Sequence, residues 1–241
     1  MNALFAFALG MALWVSNAAA AETSPTLDHV TPDLSDTASL QRGVALFTNY
    51  CMGCHSMEYA RYKRVADDLD IPVSLYQENL IFTGARVGDL MENAMDRKQA
   101  AAWFGAPPPD LTLEARLRGA SWIYSYLRGF YQDDSRPFGV NNAVFPNVSM
   151  PHALVGLQGL CAEKPRQGQA GEPLCTRYAA EGTLSPADYD QAIYDLTNFL
   201  AYSADPIRPE RERLGLFVLL FMGVFIVFAY LLNREYWKDV H

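Results

Sequence analysis

FTNYCMGCHSMEY, residues 47–59, contains the run Cys51-Met52-Gly53-Cys54-His55. C-x-x-C-H is the attachment signature of a c-type haem. The spacing has a chemical reason. Cys51 and Cys54 sit one helical turn apart, so both sulfurs reach the two vinyl groups of one porphyrin. His55 follows at once, and its imidazole projects beneath the ring to bind iron. A zinc site would need a second Cys or His pair, and a redox dithiol has no need of the adjacent histidine. The pair Cys161 and Cys175 remains, an even remainder in an exported chain, which predicts a disulfide.

The sixth iron ligand needs a separate search. A thioether is the usual partner of histidine in electron-transfer c haems and raises the potential. The chain has 8 methionines. Met1 and Met11 fall in the leader and Met222 in the apolar C-terminal run. Met52 and Met57 are too near the attachment site to reach the opposite face. Met91 and Met95, at i,i+4 with Leu90 and Ala94, read as packing on a helix. Met150 is left, in Phe145-Pro146-Asn147-Val148-Ser149-Met150-Pro151-His152, a proline-held loop far from His55. His152 is the rival ligand. Arg116 and Arg118, after the Pro-Pro-Asp-Leu loop, are candidate donors to the haem propionates.

Outside the motif, the ends of the chain are apolar. Residues 1–21 read as a secretory signal: Ala3 to Val15 is hydrophobic, small residues follow, and cleavage falls after Ala21. The region ahead of that run lacks Lys or Arg, which is atypical. Leu214 to Leu232 holds 19 residues without a charge, enough for one transmembrane helix. Tyr236 and Trp237 suit an interfacial belt. Three arginines precede the span (Arg208, Arg211, Arg213), and Arg234 and Lys238 follow it. Orientation therefore rests on the signal, which exports residues 22–205 and leaves the tail inside. Residues 206–241 form the anchor, separated from the domain by Pro206 and Pro209, which break a continuous helix.

Within the exported domain, Leu40, Val44 and Phe47 share one helical face, and Gly43 permits a second helix to approach closely. Ser185-Pro186 starts another helix with a cap and an N1 proline. Tyr189, Ala192, Ile193, Leu196, Phe199 and Leu200 follow at helical spacing. Residues 22–36, with two prolines, read as an extended lead-in, and no long alternating strand is present. The fold class is mainly α: a c-type cytochrome domain with long loops around one covalent haem, plus a single C-terminal transmembrane helix. The net charge of −8 excludes the basic footprint of a nucleic-acid binder. It suits a basic electron-carrier partner, through clusters such as Asp67-Asp68-Asp70 and Asp133-Asp134, or serves only solubility.

Several blocks together resemble the bacterial form of the cytochrome c1 family, the haem subunit of ubiquinol–cytochrome c oxidoreductase (the bc1 complex). They are Cys51 to Leu69, NLIFTGARVGD at 79–89, WFGAPPPDLTLEARLRGASWIYSYLRGFY at 103–131, GVNNAVFPNVSMPHAL at 139–154, and DLTNFLAYSADP at 195–206. The resemblance spans most of the chain beyond the leader; only CAEKPRQGQAGEPLC at 161–175 has no counterpart. It implies one covalent haem c with axial ligands His55 and Met150 and a propionate contact at Arg116. It also implies cytochrome b, a Rieske iron–sulfur protein and a cytochrome c acceptor as partners, in a dimeric complex. The location implied is the bacterial inner membrane, with the haem domain in the periplasm and the C-terminus in the cytoplasm. No catalytic residue for bond chemistry is expected on this chain. The alternatives are another anchored c-type electron carrier, or a haem enzyme such as a peroxidase, whose open sixth position Met150 argues against.

Overall fold

Two helices set the frame. In the computed structural model, which describes residues 25–166 and 174–239, α1 spans Thr37–Leu46 and α8 spans Pro186–Ala204. The predicted signal, residues 1–21, lies outside the described residues. Asp36 caps α1 by accepting from the Ser39 amide, and the Ser185 hydroxyl caps α8 by accepting from the Asp188 amide. The buried faces are those the apolar spacing predicts: Leu40 and Val44 on α1, with Phe47 just beyond its end, meet Tyr189, Ile193, Leu196, Phe199 and Leu200 on α8. Gly43 sits at the crossing. A Cβ there would lie 2.2 Å from the Asp195 carbonyl oxygen, so only glycine permits this approach. Beside it the buried Asp195 carboxylate accepts from Ser39 Oγ at 2.7 Å and from Arg42 Nε at 2.6 Å. A buried charge needs such partners.

Beyond Leu46 the α1 helix widens into a π-helical turn, Phe47–Cys51, which delivers the haem motif. Single π turns often mark functional sites. Next come β1 (Met57–Arg61), α2 (Tyr62–Asp68), α3 (Val73–Leu80), β2 (Leu90–Met91) and α4 (Arg97–Phe104). β1 and β2 pair antiparallel, with Met57 opposite Met91. This corrects the helical reading of Met91 and Met95: Met91 is a fully buried strand residue and Met95 follows in a loop. Two residues of strand carry no alternation to read.

α5 (Glu114–Arg118) and α6 (Ala120–Arg128) are separated by Gly119 at φ 89°, a conformation that favours glycine. A four-stranded sheet of order β4-β3-β5-β6 follows, from β3 (Phe130–Gln132), β4 (Val140–Asn142), β5 (Gly159–Cys161) and β6 (Tyr178–Glu181), with α7 at Val155–Gln158. β3 and β5 are parallel; the outer pairs are antiparallel. Cys161 and Cys175 are bridged, with Cα atoms 5.4 Å apart, closing the β5–β6 hairpin as expected. The lead-in is not a free tether. The Asp28 amide donates to Ser125 Oγ at 2.8 Å, the Val30 amide to Ser121 Oγ at 3.1 Å, and Arg128 bridges Asp28 and Asp190.

After α8, Asp205-Pro206-Ile207 breaks the helix, and α9 runs from Arg208 to Tyr236. It is the one described helix long and apolar enough to cross a membrane, with mean hydropathy 2.7 and none of its apolar stretch buried.

Candidate functional site

The attachment turn is held against the proline loop that follows α4. The Leu111 amide donates to the Ser56 carbonyl at 2.9 Å, and the Glu58 amide donates to Asp110 Oδ2 at 2.6 Å. Between these tethers His55 Nδ1 lies 2.8 Å from the Pro109 carbonyl oxygen. A carbonyl can only accept, so Nδ1 carries the proton and Nε2 keeps a free lone pair. This is the arrangement by which metal-bound histidines are oriented and made better donors. Burial pushes the His55 imidazole below the usual histidine range, and the Pro109 contact partly offsets it. The ring is therefore neutral at neutral pH and able to ligate.

The two motif cysteines are both free. Cys54 is exposed. Cys51 keeps some surface, but its sulfur is enclosed, and burial pushes that thiol up to about 12. Cys54 opens onto a cleft of about 190 Å³ shared with Ser56, Glu58, Glu92, Met95, Arg97 and Asp110.

Met150 lies in a loop fixed by two adjacent buried asparagines. Asn142 Oδ1 accepts from the Val144 amide at 2.9 Å and the Phe145 amide at 3.2 Å; Asn141 Oδ1 accepts from the Asn147 amide at 2.8 Å. Arg136 Nη2 donates to the Asn147 carbonyl at 2.8 Å. Asn147 adopts φ 64°, which asparagine tolerates better than most residues. The half-buried Met150 side chain packs against Phe130, Val140 and Val148, and its sulfur accepts from the Tyr126 hydroxyl at 3.3 Å. The rival, His152, is buried with its ring stacked flat on Phe130 (4.7 Å, 3°). Its Nε2 has no hydrogen-bond partner among the described residues, and burial lowers its pKa to about 4.

Between the His55 side and the Met150 side runs a strip that sequence reading missed. Glu114, whose charge is felt at His55, pairs with Arg118. The Arg118 guanidinium lies 4.4 Å from the Trp122 ring centroid. Trp122 stacks on Tyr126 (4.9 Å, 9°), and Tyr126 reaches Met150. Glu114 and Arg118 lie four residues apart on α5, and Trp122 and Tyr126 four apart on α6, the spacing of one face within each helix. That spacing was the available signal. Arg118 is thus engaged by a carboxylate and a ring, whereas Arg116 is exposed with no ion pair among the described residues. Of the two, Arg116 is free to meet a propionate.

Two of the three carboxylates in the first acidic cluster are ion-paired, whereas those of the second have no ion pair among the described residues. Asp67 pairs with Lys63 and Asp68 with Arg64, each across one helical turn. Asp133 accepts from Ser135 and Asn141. The cleft onto which Cys54 opens is lined by the carboxylates Glu58, Glu92 and Asp110 and by Arg97, which pairs with Glu58 at 3.7 Å.

Two thiols on one turn, a neutral histidine with Nε2 free and an aromatic wall leading to a thioether are the donor set a c-type haem requires. A protein-family model for the Cytochrome C1 family matches residues 30–240. The chain belongs to the cytochrome c1 family. It is similar to cytochrome c1 of Allochromatium vinosum, at 50% identity over 89% of this chain and 90% of that protein. It also resembles a protein of Nitrosomonas europaea named ammonia monooxygenase gamma subunit, at 42% identity over 89% of each. A cytochrome b/c1 of Bradyrhizobium diazoefficiens is 27% identical over 86% of this chain and 34% of that protein.

Family membership makes this a haem electron-transfer subunit of the respiratory bc1 complex, with a covalently bound c-type haem and a membrane-spanning C-terminal helix. It implies cytochrome b and a Rieske protein as partners.

Proposed function

We propose that this chain relays single electrons from a Rieske iron–sulfur protein to a cytochrome c acceptor, outside a bacterial inner membrane. Haem c, when bound, supplies a one-electron ferric/ferrous couple. Cys51 and Cys54 hold one such group through two thioethers. His55 Nε2 ligates the iron, and the Pro109 carbonyl fixes that ring in the tautomer that can do so. Met150 provides the second axial donor from its asparagine-pinned loop; a soft thioether favours the ferrous state. Arg116 receives a propionate through paired hydrogen bonds. No residue here forms a bond to quinol, which belongs to the partner chains of the dimeric complex.

The single observation that carries this reading is the His55–Pro109 contact on the C-x-x-C-H turn. It leaves Nε2 free for a metal, which a redox dithiol does not need. Residues 1–21 serve as the signal, 22–205 as the periplasmic domain, and 206–241 as the anchor, with its end in the cytoplasm.

The test uses membranes and mild detergent. The full chain should co-purify with a b-type cytochrome and a Rieske protein. Truncation after Asp205 should give a soluble red fragment with an unshifted spectrum, and membranes holding only that form should lose most quinol-to-cytochrome c turnover. If the chain runs alone and turnover survives truncation, it is an anchored free shuttle. The name of the Nitrosomonas relative sets another rival, a monooxygenase subunit, which co-purification would also reveal.

A further inference from the structure

We propose that the Tyr126 hydroxyl hydrogen-bonds the Met150 thioether in the haem-loaded protein and thereby raises the reduction potential of the iron that this sulfur ligates. The inference rests on the assignment of Met150 as axial ligand.

The donor and acceptor are placed by a shared anchor. Tyr126 Oη lies 3.3 Å from Met150 Sδ. The Tyr126 ring is stacked on Trp122 at 4.9 Å and met edge-on by Phe130 at 5.3 Å and 69°. The Tyr126 backbone carbonyl accepts from Asn142 Nδ2 at 2.8 Å. The same Asn142 holds the Val144 and Phe145 amides of the Met150 loop. Helix and loop therefore move together, and the hydroxyl stays aimed at the sulfur. Its surroundings are apolar: Phe130, Val140, Val148 and Leu160.

A thioether sulfur has two lone pairs. Iron takes one; the other remains to accept a hydrogen bond, weakly. A proton on that pair draws density from sulfur. Ferric iron depends on that density more than ferrous iron does, so the ferric state loses more. Hydrogen bonding around the axial ligand is a recognised lever on haem potential. With the factor one neutral hydrogen bond carries, the ferrous/ferric equilibrium shifts about fivefold. That is about 40 mV at 59 mV per tenfold for one electron.

The experiment is a redox titration of the full-length haem-loaded chain in detergent, comparing wild type, Tyr126→Phe and Tyr124→Phe. Tyr124 faces elsewhere, under the Arg128 guanidinium at 4.6 Å, and serves as control. Tyr126→Phe should lower the potential by about 40 mV, keep the sulfur-to-iron charge-transfer band, and make added imidazole about fivefold poorer at displacing the sulfur from ferric iron. Tyr124→Phe should change none of these. Equal potentials for wild type and Tyr126→Phe, with the band intact in both, overturn the tyrosine inference and leave the ligand assignment standing. Loss of the band in Tyr126→Phe also overturns it, because the hydroxyl would then be holding the ligand in place and not tuning it. Absence of the band in wild type refutes the Met150 assignment and the inference with it.

Discussion

Replacing Gly43 by alanine tests whether the α1–α8 crossing holds the haem motif in place. The new Cβ would lie 2.2 Å from the Asp195 carbonyl oxygen and 2.6 Å from the Phe199 Cβ. Ordinary contact between such atoms begins near 3.5 Å, so α1 must back away by about 1 Å. Neither obstacle can rotate aside, since one is main chain and the other is a side-chain root. Overpacking costs about 1–3 kcal/mol. The upper end applies here, because the same shift stretches the 2.7 Å Ser39–Asp195 bond beside the crossing. About 3 kcal/mol lowers Tm by roughly 6–12 °C in a chain of this size. The assay is thermal unfolding of the full-length haem-loaded chain in detergent, with Gly88→Ala as control. A Cβ at the exposed Gly88 meets nothing within 4 Å, so that variant should melt with the wild type. A Gly43→Ala protein melting within about 1 °C of wild type would refute the argument, because a displacement this large cannot be absorbed without loss of core contact.

Met150→Leu should keep the haem attached but lower the potential and abolish the sulfur-to-iron charge-transfer band, while His152→Asn retains both; a wild type without that band, with a potential that moves in His152→Asn and not in Met150→Leu, assigns the ligand to His152. Reduction of a basic cytochrome c should slow by about tenfold as salt rises from 0.01 to 0.15 M and the Debye length shrinks from about 30 to about 8 Å. Glu92→Gln, at a carboxylate with no ion pair among the described residues, should weaken that dependence, and Asp67→Asn, already paired with Lys63, should not; a rate flat in salt for wild type would mean that the acidity only solubilises or that the acceptor is tethered.

Long periodic segments were legible in the sequence because each residue in them answers to one partner surface. The α1 and α8 stripes, the Gly43 approach, the Ser185 cap and the apolar run inside α9 all appear where spacing places them. The haem motif was legible because its chemistry is local. What escaped was non-local. β2 has two residues, and its identity comes from Met57 across the ladder. Asn141 and Asn142 look like loop polars, yet they are buried because they satisfy the amides of the Met150 loop. The Glu114–Arg118 pair lies at a readable spacing, but the Trp122 ring reaches Arg118 across the Gly119 break between two helices, which only the fold shows. In the first aspartate cluster, by contrast, the ion-pair partners of Asp67 and Asp68 were legible, four residues upstream at the spacing where helical ion pairs form.

The two proposed ligands have separate anchors, and that separation has a consequence. His55 is set by Pro109 and the loop docked on Ser56 and Glu58. Met150 is set by Asn141, Asn142 and Arg136. The anchors communicate through the 114–118–122–126 strip, which Gly119 interrupts between its two helices. Strain on the Met150 loop therefore need not displace His55, and the thioethers at Cys51 and Cys54 would retain the haem in either case. Such a layout lets substitutions around Met150 shift the potential without loss of the cofactor. The anchor is decoupled in the same way. Asp205 and Pro206 end α8, and the Arg211–Asp205 ion pair at 2.7 Å is the link that spans the break into α9. A partly exposed pair of this kind contributes little to stability, so the residues ahead of Asp205 stand on the α1–α8 core and not on the α9 helix.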